Sequence, residues 1–218
     1  MTEESANALP AAGAGKDAAL VQRMFDRVAP RYDLANTIFS AGQDRHWREV
    51  TARAVAPGPG DVMLDVAAGT GALSRLLAAR GADVVALDFS WAMLATGAER
   101  QRAGWPEPVA WCNGDGTRLP LADGSVDAVT IAFGLRNLPD PAAGLAEFAR
   151  VVRPGGQLAV LEFSHPVNPA LRTLYERYLV GAIPTAARWL TSDAGAYRYL
   201  AESILAWPDQ HELAVVIA

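Results

Sequence analysis

The stretch Val62-Met63-Leu64-Asp65-Val66-Ala67-Ala68-Gly69-Thr70-Gly71 constrains the fold more than any other part of the chain. Val62 to Leu64 read as a buried strand, the small residues after them as a turn, and Ala72 onward as an apolar-periodic helix. Glycine at 69 and 71 lets the backbone turn tightly and lets a ligand approach it closely. A second apolar run, Asp83 to Leu87, ends on Asp88, seventeen residues past Gly71. A carboxylate at the tip of the next strand can hold both hydroxyls of a ribose. The spacing therefore points to a βαβ unit that binds a nucleoside.

The rest of the chain extends this rhythm. Strands are expected near 61–66, 83–88, 108–113, 126–132 and 157–163, with helices near 71–80, 90–103 and 141–151. Arg153-Pro154-Gly155-Gly156 reads as a turn before the fifth strand. Such alternation predicts an α/β, Rossmann-like, doubly wound sheet that is mostly parallel, with right-handed crossovers. Pro57-Gly58-Pro59-Gly60 separates this core from an N-terminal region. There a helix through Leu20, Val21, Met24, Phe25 and Val28 closes at Pro30. Arg31 to Gln43 reads as irregular, and Asp44 to Ala56 as another helix. From Asn168 the pattern is helical, near 168–181, 184–190, 196–206 and 208–217. The expected organisation is a disordered tail over 1–18 and one domain over 19–218. That domain comprises a helical lid (19–56), a cofactor-binding core (57–165) and a helical substrate region (166–218).

Composition removes several classes of function. A net charge of −5 argues against nucleic acid as the main partner. Cys112 is the single cysteine, which excludes an intrachain disulfide and a zinc site of several thiolates and fits a cytoplasmic address. Met1 to Gly15 has neither a basic start nor a leucine-rich run, so it does not read as a secretion signal. No apolar run approaches the length of a membrane span. His46, His165 and His211 lack metal-ligand spacing, so no metal is expected.

Charge then separates the nucleoside cofactors. A pyrophosphate disfavours a carboxylate beside the glycine turn, whereas a sulfonium and an ammonium favour one. Asp65 stands there, and Ser74 occupies the third small position of the dinucleotide fingerprint. This favours S-adenosyl-L-methionine over NAD. Asp115, after the third strand, can accept a hydrogen bond from an adenine amine, or can simply stabilise a glycine-flanked turn. Arg136 and Asn137, in Phe133-Gly134-Leu135-Arg136-Asn137, follow the fourth strand and are expected to face the ligand crevice. The plainer alternative is a salt-bridged surface arginine and a turn asparagine.

Together these residues resemble the class I methyltransferases that C-methylate the quinone ring in ubiquinone and menaquinone biosynthesis. The likeness runs from about Val21 to Leu213. It is carried by Met24 to Asp33, Leu64 to Gly71, Phe133 to Asn137, Arg153 to Gly156 and Leu161 to Ser164. Tyr199 to Ile204 and Trp207 to Gln210 are similar to the menaquinone branch.

The resemblance implies demethylmenaquinol as the acceptor. It also implies that Asp65, Gly69, Thr70, Gly71, Asp88, Asp115 and Gly116 hold S-adenosylmethionine, with Thr70 beside the methionyl part and Asp115 and Gly116 bracketing the adenine.

For the chemistry, Arg136 is expected to stabilise a phenolate and Asn137 to orient the same oxygen or a water. Tyr32, Asp33 and His46 are the candidate bases, with a water beside Arg136 as the alternative. An isoprenoid acceptor leaves room for peripheral contact with the inner face of a membrane, through Tyr175, Tyr178 and Trp189, and for a homo-oligomer.

Two departures stand out. Ala132 replaces a family serine, a loss of about 1 kcal/mol if that serine makes one ordinary hydrogen bond. The resemblance also implies a C-terminal β-hairpin beyond Ala218, which is expected to be absent here, leaving the fifth strand at an open edge. Methylation of another small apolar acceptor, a non-catalytic cofactor-binding relative and an NAD oxidoreductase are the competing readings.

Overall fold

The computed structural model describes residues 18–29, 32–40, 42–182 and 194–217. Its centre is a five-stranded sheet of β1 (Val62–Val66), β2 (Asp83–Asp88), β3 (Val109–Asn113), β4 (Val126–Ala132) and β5 (Val152–Leu161). The order is β3-β2-β1-β4-β5, and every pair is parallel. Strand order reverses between β1 and β4. Connections leave in opposite directions from that point and open a crevice beyond the carboxyl ends of the strands.

Both faces of the sheet are covered, so β1 carries apolar side chains on both. Successive residues alternate between the two layers. Met63 packs with Ala52, Leu77, Val84 and Ala128, and Leu64 packs with Leu87, Val129, Leu135 and Phe148.

The crossovers are α4 (Ala72–Ala78), α5 (Trp91–Arg102) and α6 (Pro141–Val151). Ser90 caps α5 by accepting from the Met93 N–H, and Asp140 caps α6 by accepting from the Ala143 N–H. Each cap is worth about 1 kcal/mol.

A tryptophan locks β3 against these helices. A Cβ at Gly71 would lie 2.5 Å from Trp111 Cη2, and one at Gly97 would lie 2.4 Å from the same atom. The indole Nε1–H donates to Gln101 Oε1 at 3.0 Å.

The N-terminal helices are α1 (Ala18–Val28), α2 (Tyr32–Phe39) and α3 (Gln43–Val55). α2 replaces the irregular stretch expected over 31–43. Its eight residues make barely two turns, too few for a period of 3.6 to stand out. Gly42, at φ 79°, ends it by donating to Thr37 O.

Arg153 to Gly156 is also not the turn expected before β5. The strand begins at Val152, opposite Val126, and pairing resumes at Gln157, opposite Ala128. The four residues between are a bulge inside the pairing. Among the described residues, no strand pairs with the outer edge of β5.

The C-terminal region is helical, as α7 (Pro169–Arg177), a π-helical turn (Tyr178–Ala182), α8 (Ala194–Leu205) and α9 (Gln210–Ile217). α8 packs against α1 through Tyr199, Ile204, Val21 and Met24. The tail over 1–17, the helix expected near 184–190 and Trp189 lie outside the described residues.

Candidate active site

The glycine turn and the acid at the tip of β2 form one hydrogen-bonded unit. Asp88 Oδ2 accepts the Gly69 N–H and Oδ1 accepts the Ser90 N–H, each at 2.8 Å. The carboxylate thus ties the β1–α4 turn to the β2–α5 turn while retaining lone pairs on both oxygens. Gly71, at φ 80°, opens α4.

Asp65, at the carboxyl end of β1, accepts from Ser74 Oγ at 2.6 Å and from Thr130 Oγ1 at 2.7 Å. Ser74 is therefore more than a small packing residue, since it holds the acid beside the turn. Burial raises the Asp65 carboxyl to about 6, against the two hydroxyl hydrogen bonds and the positive charge of Arg48. Burial likewise raises Asp88 to about 6, opposed by its two backbone hydrogen bonds and aided by repulsion from Asp65 and Asp26.

These groups line two adjoining cavities in the crevice. The first holds about 690 Å³ of empty space, partly open to solvent, between Asp65, Gly69, Thr70, Phe133, Asn137 and Arg48. The second, of about 470 Å³, is bounded by Phe89, Asp115, Gly116 and Leu138. Asp88 and Asn137 belong to both walls. Among the described residues of the two linings, Asp33, Asp65, Asp88 and Asp115 face a single cation, Arg48. Such a set of acceptors suits a ligand bearing hydroxyls and positive charge and disfavours a pyrophosphate.

The residues expected to do the chemistry are distributed differently. Asn137 lines the cleft, where its Oδ1 accepts from Tyr199 Oη at 3.2 Å. Arg136 does not line it, contrary to expectation. It is buried, donates from Nη1 to Glu162 Oε1 at 2.5 Å and to Phe133 O at 2.8 Å, and lies over the Phe163 ring. Leu135 to Asn137 form a 3₁₀ turn, in which neighbouring side chains point about 120° apart. Asn137 therefore faces the ligand space while Arg136 turns beneath β5.

Asp33 reaches the cleft but is already engaged, accepting from Thr70 Oγ1 at 2.7 Å and pairing with Arg100. Accepting a substrate proton would disrupt both contacts. His46 is exposed on α3 and lines neither cavity. The Tyr32 side chain lies outside the described residues.

Ala132 lines the first cavity, so the hydroxyl of a serine there would have faced ligand space. Asp115 lines the second, with Oδ1 accepting the Thr117 N–H and Oγ1–H at 2.8 Å each.

Sequence reasoning missed two features. Arg48 stacks over Phe133 at 5.2 Å, and Phe133 packs on Phe163 at 4.7 Å between ring centroids. Phe133 adopts φ 60°, a strained value for a bulky residue and one that presents its ring to the cleft wall. The only hint of this wall in the sequence is the aromatic content of the 133–137 motif.

A family model described as the ubiE/COQ5 methyltransferase family matches residues 13–218. The chain belongs to that family. This methyltransferase is 57% identical over 194 residues to the "demethylmenaquinone methyltransferase" of Mycobacterium sp. (strain JLS), covering 89% of this chain and 81% of the relative. Proteins of the same name from Mycolicibacterium vanbaalenii and Renibacterium salmoninarum are 54% and 52% identical. Those matches cover 93% and 91% of this chain and 86% and 81% of the relatives.

Among solved structures, a putative methyltransferase from Bacillus halodurans superposes with a TM-score of 0.56 at 24% identity, covering 78% of this chain and 66% of its own. The cyclase SpnF superposes with a TM-score of 0.61 at 22% identity, covering 71% and 63%. The chain thus spans just under two thirds of these structures, which bear on fold alone, and the cyclase illustrates that this fold hosts more than one chemistry. The methyl donor of the enzyme is S-adenosylmethionine, and the acid-lined cleft accommodates its hydroxyls and positive charges.

Proposed function

We propose that this methyltransferase converts demethylmenaquinol to menaquinol. The observation that carries the reading is an apolar wall in the same cavity as Asp65 and Asp88. Phe25, Leu73, Phe89, Met93, Phe133 and Leu138 offer a flat aromatic ring a dry surface next to the cofactor acids. The names of relatives more than 50% identical to this chain support the choice of acceptor.

S-adenosylmethionine, when bound, supplies a methyl group on a positively charged sulfur. Asp88 would accept the ribose hydroxyls, Asp115 and Gly116 would flank the adenine, and Gly69 and Thr70 would line the methionyl part, while Gly71, expected there too, lines neither cavity and instead backs onto Trp111 as it opens α4. Asp65 supplies negative charge beneath that end. The apolar wall orients the ring and excludes water, and alignment of this kind is worth about 7–11 kcal/mol. Asn137, steadied by Tyr199, hydrogen-bonds an acceptor oxygen. Arg136 is a positioning residue that fixes the loop carrying Asn137. In the net reaction a ring C–H becomes a ring C–CH₃ and one proton passes to water.

The acceptor's isoprenoid tail favours contact with a membrane surface. Val167, Leu171 and Tyr178 are exposed beside Arg172 and Arg177, a mixture that suits the edge of an anionic bilayer. Tyr175 instead packs in the α1–α8 core. No helix among the described residues is long and apolar enough to cross a membrane. A cytoplasmic enzyme resting on the inner membrane face fits these features. Co-sedimentation with anionic vesicles checks this, and a Leu171→Ser/Tyr178→Ser variant that sediments as well as the parent would refute it.

The test of the reaction is transfer of labelled methyl from S-adenosylmethionine to chemically reduced demethylmenaquinone, with Asp88→Ala alongside. Transfer that is lost in the variant supports the proposal. A folded protein that binds the donor and leaves this acceptor unmethylated refutes it.

A further inference from the structure

Four carboxylates line the cleft, so an acceptor anion entering it would be repelled unless a cation compensates. Arg136 does not supply that charge, because it lines neither cavity and points to Glu162 instead. Arg48 is the cation in the lining, and it is only 7% exposed. It reaches the cleft from α3, where Nη1 donates to Asp44 Oδ2 at 2.7 Å. Asp44 is itself held by Ser40, whose hydroxyl donates to Oδ1 at 3.0 Å. A guanidinium carries five N–H donors in a rigid fork, so the bond to Asp44 fixes its direction without exhausting it. Phe133 supports the opposite side of the group and is part of the apolar wall proposed to receive the acceptor ring.

We infer that Arg48 is a catalytic residue whose guanidinium pairs with a ring oxygen of the acceptor and holds that oxygen as the anion. The inference rests on the proposed function insofar as it takes the acceptor to be a hydroquinone. It also deepens that reading, because it makes the site selective for acceptors whose reacting carbon adjoins an ionisable hydroxyl, as in phenols, hydroquinones and enols. Ring carbons of these molecules become strongly nucleophilic only when the hydroxyl is ionised. The hydroxyl proton leaves to water, and the oxyanion left behind is paired by Arg48.

The charged groups facing Arg48 are Asp44 on its own helix, Asp33 from α2, Asp65 from β1 and Asp88 from β2. Asp44 is already paired with Arg48, and Asp33 with Arg100. Asp65 and Asp88 are offset by the cationic donor when it binds. Arg48 then remains to act on the acceptor.

The test uses 1-naphthol as the acceptor probe, because its anion absorbs at longer wavelength than the neutral form. The probe is titrated in the presence of saturating protein and sinefungin, an unreactive donor analogue that carries an ammonium where the donor has its sulfonium. The unaltered protein is expected to lower the apparent pKa of bound naphthol by about 1–3 units, as an opposite charge within 4–6 Å does. Arg48→Gln abolishes that lowering, and Arg48→Lys retains part of it.

Since Arg48→Gln leaves Asp44 buried without its partner, Asp44→Asn/Arg48→Gln is measured beside it and should behave identically. Binding of S-adenosylhomocysteine by calorimetry, measured at pH 8.5 where Asp65 stays ionised without the charge of Arg48, stays close to that of the parent in both, whereas a merely structural role would weaken it together with naphthol binding. The rising limb of the pH profile for methyl transfer moves to higher pH by the same amount as the naphthol titration.

An unshifted naphthol titration in the unaltered protein overturns the inference. So does a shift that survives Arg48→Gln, or equal loss of naphthol and S-adenosylhomocysteine binding. If naphthol responds to Arg48 but reduced demethylmenaquinone is never methylated, the acceptor assignment fails and the role of Arg48 stands. If that acceptor is methylated without any dependence on Arg48, the acceptor assignment stands and the role of Arg48 fails.

Discussion

Asp88→Asn should make the cofactor-free enzyme more stable while weakening its hold on the donor. The folded protein raises the Asp88 carboxyl from an ordinary 3.8 to about 6, chiefly through burial. At 1.36 kcal/mol per pH unit, the ionised form costs the folded state about 3 kcal/mol relative to the protonated form. The sign follows from proton binding. Between 3.8 and about 6 the folded state holds the proton more tightly than the unfolded chain, so this contribution favours folding at low pH and disappears as pH rises through 6. Asparagine has the shape and charge of the protonated acid and escapes that penalty at every pH, but its Nδ2 cannot accept, so one of the two backbone N–H groups of Gly69 and Ser90 loses its partner at a cost of about 1–3 kcal/mol.

At pH 7.5 the variant should therefore gain at most about 2 kcal/mol, which for a chain of this size is about 4–8 °C in Tm. By pH 5 the unaltered protein has regained about half of its 3 kcal/mol, so the gap should narrow by about 1.5 kcal/mol. Thermal melts of both proteins at the two pH values, without cofactor, measure this directly. Calorimetry should show donor binding weakened about 10–100-fold, the loss of charge-assisted hydrogen bonds worth about 1.5–3 kcal/mol. A variant that melts below the parent at pH 7.5, or a gap that does not narrow by pH 5, would refute the reasoning.

Three further outcomes follow from the same geometry. Affinity for S-adenosylmethionine should fall as pH drops through about 6, where Asp65 and Asp88 lose their negative charge, by about tenfold at pH 5 for each carboxylate that must be ionised; isothermal titration across pH checks it. Arg136→Ala should cost about 3–5 kcal/mol by leaving Glu162 buried and unpaired, and Arg136→Met/Glu162→Leu should recover most of it, as chemical denaturation would show. Gly97→Ala should destabilise by about 1–3 kcal/mol despite the better helix propensity of alanine, because its methyl would overlap Trp111 and lie 2.9 Å from Thr70 O; a melt at or above that of the parent would count against it.

The sheet was legible because its signals are local. Short apolar runs, glycine turns and the spacing to Asp88 each report on a few neighbouring residues, and β2 and β4 fall where their runs predict. Asp65 and Asp88 were legible for the same reason, since a strand tip can face only the crevice. Arg136 was misread because the strand-tip rule assigns a loop to the crevice but not each side chain within it. The 3₁₀ turn separates Arg136 from Asn137, and only the position of Glu162 at the end of β5 decides which one turns inward. Arg48 was hidden by its own partner. An arginine four residues after an aspartate reads as a solvated helix pair, and burial of that pair depends on how α3 lies across the sheet. The bulge at Arg153 to Gly156 escaped notice because proline and glycine announce a break without saying whether pairing resumes beyond it.

Trp111 gives three distant positions a common fate. The indole occupies the room that side chains at 71 and 97 would need, so the sizes permitted at the three sites are exchangeable only in concert. A smaller residue at 111 should remove most of the damage done by alanine at 97, leaving only the close approach to Thr70 O, although each change alone does damage. In such a trio the effect of a substitution is not a property of its position. Two relatives could each tolerate a residue at 97 that would damage the other, with the difference lying largely in whether the ring is there to be struck.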